Sequence, residues 1–164
     1  MKVIQAVWVP GLTSLALLIA LAVYLLPLHP NIVALQFTFT AADFGSVLGT
    51  WTPQGVALFR AHLPVDCLLL LDYGVFGYLL ARHTSVFSRS TVPVQRFLLW
   101  AMPLAAVCDL GENALHWYLT SGVASAAPGW YLLAGLCSMS KFALMGVFGV
   151  SAVWQRGGRA SSGG

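Results

Sequence analysis

Charge is what this sequence has least of. Five acidic and eight basic side chains make up 8% of its 164 residues, where a soluble domain carries about 25%. With 59% hydrophobic residues and a mean hydropathy of +0.81, that shortage excludes a soluble globular protein. Cysteine is also scarce. Cys67, Cys108 and Cys137 are dispersed through apolar stretches, so they supply neither a disulfide framework nor a Cys-x-x-Cys metal pair and read as small hydrophobes. No cluster of Lys and Arg with aromatic partners exists, so the pI near 9.0 does not point to nucleic acid. No internal repeat is present.

What the sequence does hold is long apolar runs. At about 20 residues per crossing, the chain has room for four helices and no separate soluble domain. The expected spans are about 8–28, 64–81, 94–119 and 130–154, forming one domain over 1–156. The Gly/Ser-rich tail 157–164 reads as disordered. The fold class expected is all-α: a polytopic membrane protein, a four-transmembrane-helix bundle with one or two short interfacial helices in the first outer loop. The first run is too long for a signal-peptide core and ends in Tyr24, Leu25, Leu26 and Pro27 instead of small residues, so it is read as a retained span.

Residues 29–63 are too long for a turn and too apolar for a free linker. Phe44, Val47, Leu48 and Trp51 fall at i, i+3, i+4 and i+7, one face of a short amphipathic helix. Thr52 and Pro53 read as the N-cap and first position of a second short helix reaching Arg60. This region covers the bundle, either passively or as a gating lid. Lys2, Arg82, Arg89, Arg96, Arg156 and Arg159 fall at the termini and between the second and third spans, with only Arg60 opposite, which predicts cytoplasmic termini. Trp8, Trp100, Trp117, Trp130 and Trp154 lie near span ends, as an aromatic belt requires.

Against this background, an ionisable group within a span costs at least about 2.5 kcal/mol and marks a candidate site. At 1.5 Å per residue, Asp72, Asp109 and Lys141 share one layer near the midplane, with Glu112 about 6 Å, Asp66 about 10 Å and His116 about 12 Å towards the outside. Asp109, Glu112, Asn113 and His116 follow i, i+3, i+4, i+7 spacing, a stripe continued by Ala105 and Ala106. Ser138 and Lys141 share a face with Ala134 and Met145. Asp66, Leu70, Tyr73 and Gly77 make one face of the second span, with Asp72 about 120° from Asp66. The first span offers only Thr13, Ser14 and Tyr24, so the site belongs to the other three. The expected polar cluster is therefore Asp66, Asp72, Tyr73, Asp109, Glu112, Asn113, His116, Ser138 and Lys141, with three midplane carboxylates against one ammonium.

Each feature has a plainer reading. Pro64 as first helical residue would make Asp66 a helix-dipole partner, and the remaining set can be an ionic staple that fixes register. Glu112 and His116 at i, i+4, with Asp109 one turn back, have a metal-ligand spacing, but Lys141 opposes a cation, so no metal or other cofactor is expected. Ser138 or Ser140 with His116 lacks a nucleophile motif. His29, His62 and His83 fall near span ends and call for no role.

The Phe37 to Thr40 stretch with Trp51, the frame Asp66, Leu69, Tyr73, the run Asp109-Leu110-Gly111-Glu112-Asn113, and Lys141-Phe142 together resemble an uncharacterised family of bacterial four-helix integral membrane proteins. The likeness spans residues 36–146. It implies Asp66, Tyr73, Asp109, Glu112, Asn113 and Lys141 as a set, leaves Asp72 outside the pattern and brings no activity with it.

The functional expectation is an outward-opening intramembrane polar pocket in a bacterial inner-membrane protein, binding a small polar or cationic ligand or a lipid headgroup. The alternatives are an intramembrane enzyme using acid and base carboxylates on a lipid or isoprenoid, or a staple with a structural or interaction role. Proton-coupled transport is a further reading, for which four spans are few and a homo-oligomer would be needed. Partners are membrane lipid and a small molecule, without nucleic acid.

Overall fold

The computed structural model describes residues 2–122 and 127–160, with side chains over 7–122 and 127–155. It is all helical among the described residues: α1 (Lys2–Tyr24), α2 (Ile32–Gln36), α3 (Ala41–Thr50), α4 (Pro53–His83), α5 (Val92–Leu119) and α6 (Pro128–Ala160). Helices α1, α4, α5 and α6 are long and apolar enough to cross a membrane. The chain is an integral membrane protein of the four-helix type, with α2 and α3 in the first connection.

Three spans contain an internal proline, Pro10 in α1, Pro64 in α4 and Pro103 in α5. Each lacks an amide donor, which membrane helices tolerate where neighbouring groups use the freed carbonyls. The Thr13 and Ser14 hydroxyls of α1 are satisfied within the helix, donating back to Pro10 O at 3.1 and 2.6 Å.

Pro64 accounts for the main boundary correction. The separate helix expected over 53–60 and the span expected from 64 are one helix, Pro53–His83. The N-cap at Thr52 is as expected, its hydroxyl accepting from Gly55 N at 3.1 Å. At 31 residues, α4 is about 46 Å long against a hydrocarbon core of about 30 Å. Asp66 is consequently deep in a helix interior and is not a dipole partner at a helix start. Helix α1 ends at Tyr24, before the expected 28, and α6 continues through 157–160, part of the expected tail. Residues 161–164 of that tail lie outside the described residues.

The spans pack in series, α1 on α4, α4 on α5, and α5 on α6. Helices α2 and α3 rest against each other and against α6. Their segment does not stay at the surface. Phe37 stacks on Phe142 with centroids 5.4 Å apart, and Phe142 lies fourteen residues into α6, about 21 Å along it. Gly135 makes this approach possible, since a Cβ there would lie 2.6 Å from Thr38 O and from the Phe39 ring. The buried Thr38 hydroxyl bonds to Leu35 O at 2.7 Å, keeping that polar group satisfied within the bilayer.

Two apolar cores result. One, around Leu70, Leu98, Ala101, Ala105 and Phe148, fills the half of the bundle nearer the termini. The other, around Leu28, Leu35, Phe44, Trp51, Phe59 and Ala134, lies beneath α2 and α3. Polar side chains of α4, α5 and α6 occupy the level between them.

Candidate functional site

Helix α5 turns Asp109, Glu112, Asn113 and His116 inward, all buried, with Ala105 and Ala106 continuing the stripe. The i, i+3, i+4, i+7 expectation holds because nothing interrupts α5 between Pro103 and Leu119. From α6, Lys141 reaches between the acids. Its Nζ lies 2.8 Å from Asp109 Oδ1 and 2.7 Å from Glu112 Oε2. From α4, the Tyr73 hydroxyl donates to Asp109 Oδ2 at 2.9 Å. Three spans thus meet at one layer, and both oxygens of Asp109 have partners.

Glu112 differs. It has no solvent exposure, and its contact with Lys141 is close enough for an ion pair but off the line of a hydrogen bond. Oε1 has no hydrogen-bond partner among the described residues. His116 Nδ1 is 3.7 Å from it, beyond hydrogen-bond range. Ser138, also fully buried, stands beside Glu112 and has its hydroxyl 3.1 Å from Ala134 O, so its single proton serves one of the two acceptors at a time. A buried carboxylate without its hydrogen bonds is costly, and here two carboxylates share one ammonium.

Above this layer the site is closed. The His116 ring, buried, is flanked by Phe44 of α3 and Phe59 of α4, each with centroids at 5.8 Å. Phe44 also meets Tyr131 edge-on at 5.3 Å. The polar column therefore ends under an aromatic cover.

Three expected members stand apart from the lysine. Asn113 Nδ2 donates to Asp66 Oδ2 at 2.7 Å, a separate pair joining α5 to α4. Asp72 is half-buried and makes no hydrogen bond or ion pair with the described residues. Depth alone had placed it in the cluster. Tyr73 turns inward, and its neighbour, about 100° around the helix, points elsewhere.

His62 went unrecognised from the sequence. It is buried, its Nδ1 contacts Phe59 O, and its ring packs on Phe59 at 4.9 Å, so Phe59 touches both imidazoles. A span starting at Pro64 leaves His62 in a loop, whereas a helix starting at Pro53 puts it on the face of Asp66 and Tyr73, at i, i+4 and i+11. The cysteines are free and half-buried, and no three of His, Cys, Asp and Glu form a metal-type cluster among the described residues.

No protein-family model matches the sequence, and no match was found among curated proteins or solved structures.

Proposed function

We propose that this chain binds a small polar or cationic ligand at Glu112 and His116, beneath Phe44, in a bacterial inner membrane with both termini cytoplasmic. The reading rests on one observation: Glu112 Oε1 is sealed from solvent and makes no hydrogen bond of good geometry with the described residues. A ligand N–H or O–H would supply that donor, and a cationic ligand would also balance the second carboxylate. Asp109, Lys141 and Tyr73 act as the fixed base of the site, since their mutual bonds leave no oxygen of Asp109 for a ligand. That triad favours a stapling role for those three residues alone, holding α4, α5 and α6 in register.

The test is thermal unfolding of the purified chain in detergent with ammonium, ethanolamine and choline. A ligand at 100 times its Kd stabilises by about 2.7 kcal/mol. The expected outcome is a shift with at least one of these amines in the wild type and none in Glu112→Gln. Equal shifts in both proteins, or no shift with any of the three amines, would discard the reading.

A further inference from the structure

Arg60 stands on α4 near the covered end of the bundle, half-buried, and forms no ion pair among the described residues. Its Nη1 donates to Trp117 O and to Thr120 Oγ, both at 2.9 Å, while the guanidinium lies 4.3 Å over the Trp117 ring. These contacts cap the end of α5, but they occupy one nitrogen. Nε and Nη2 have no acceptor among the described residues. That pair of N–H groups is the fork that takes a phosphate in a bidentate grip.

Trp117 is also the wall of a furrow. Between α4 and α5 a groove of about 330 Å³ runs beside Leu63, Cys67, Asn113 and Ala114. A second, of about 410 Å³, continues past Leu71, Gly74 and Val107 to Trp100. Leu110 lines both. The furrow exists because the helices approach closely at its floor: a Cβ on Gly74 would meet Ala106 Cβ at 3.1 Å, while larger side chains on either side stand apart. From Trp117 to Trp100 it extends over seventeen residues of α5, about 26 Å.

A free cation at one end of a long apolar slot matches an amphiphile with an anionic head. We infer that the α4 and α5 seam holds one anionic phospholipid of the leaflet on the covered side, its phosphate on Nε and Nη2 of Arg60 and an acyl chain in the furrow. A soluble anion would leave the furrow unused, and a zwitterionic lipid would bring its own cation to the guanidinium. Asp66, the nearest acid along α4, is six residues deeper, about 9 Å, and is bonded to Asn113, so it leaves Arg60 positive. This site is independent of Glu112.

The experiment is native mass spectrometry of the full chain, equilibrated in detergent with phosphatidylglycerol or phosphatidylcholine of the same acyl composition. The wild type should retain one phosphatidylglycerol with at least a tenfold preference. Arg60→Gln should lose that preference, Arg60→Lys should keep part of it, and Ala114→Phe, at an exposed position in the furrow, should weaken retention of both lipids. Glu112→Gln should leave the preference unchanged. Equal retention of the two lipids by the wild type, an undiminished preference in Arg60→Gln, or a lipid-free dimer occupying the seam would each overturn the inference.

Discussion

Lys141 is the residue on which the interior electrostatics turn, because among the described residues it is the one ammonium facing Asp109 and Glu112. Removing one partner of a buried ion pair costs about 3–5 kcal/mol, since the other charge stays behind. Lys141→Met should therefore be the most destabilising change at this layer. Tyr73→Phe removes a single hydrogen bond to a carboxylate. Such bonds contribute about 1.5–3 kcal/mol in soluble proteins, but those between membrane helices average nearer 0.6, so a loss of about 1 kcal/mol is expected. Glu112→Gln should cost little or stabilise, because it withdraws one of two carboxylates that share a single ammonium and leaves the Lys141–Asp109 pair intact. Unfolding of the three variants in detergent checks the order, and a Glu112 variant as damaged as Lys141→Met would show Glu112 to be a full structural partner. Much of this layer is legible in sequence: in an apolar run, four polar residues on one stripe of α5 can only face inward. Asp72 was misplaced because depth carries no information about direction, and only helical phase separates it from Tyr73.

At the scale of elements, α3 decides whether the site is reachable. Its burial rests largely on Phe44, the inward residue of the face shared with Val47, Leu48 and Trp51. The outer face, including Gly45 and Gly49, opens on empty space. The Thr40 cap closes the first turn on Asp43 N at 3.1 Å, and the Trp51 indole, donating to Pro30 O at 2.8 Å, ties the other end to the chain before α2. Phe44→Ala would remove most of the cover while keeping both bonds. Stability should fall by about 3 kcal/mol, the lower end for a buried Phe→Ala change, because α3 can settle partly into the gap. His116, now buried, should become at least tenfold faster to modify with diethylpyrocarbonate, as mapped on peptides. An unchanged rate would mean that Phe59 or Tyr131 closes the site and α3 does not. The amphipathic face of α3 is legible because its apolar spacing is local. The descent of Phe37 to Phe142 is not, since it depends on Gly135 ninety-eight residues away. The continuity of α4 through Pro64 was hidden for another reason. In water an interior proline usually ends a helix, and the membrane environment overrides that tendency.

For the whole molecule, the number of spans fixes a relation among distant parts. Four crossings place the N-terminus, the connection between α4 and α5, and the C-terminus on one side, and α2 and α3 on the other. Lys2, Arg82, Arg89, Arg96, Arg156 and Arg159 then share a side, with Arg60 alone towards the other. The proposal of cytoplasmic termini, which rests on short basic loops being retained inside, puts the covered, Glu112-bearing half of the bundle outside, so that a ligand would reach His116 from the external side. Green fluorescent protein fused after residue 156 should fluoresce, and alkaline phosphatase fused there should be inactive. A phosphatase inserted between α3 and α4 should be active. Replacing Arg82, Arg89 and Arg96 together with Gln would remove half of the basic residues on the side of the termini and should produce a mixed population by both reporters. If phosphatase is active at the C-terminus of the unaltered protein, the bundle is inverted. The cover would then face the cytoplasm, and any ligand meeting Glu112 would have to come from inside the cell.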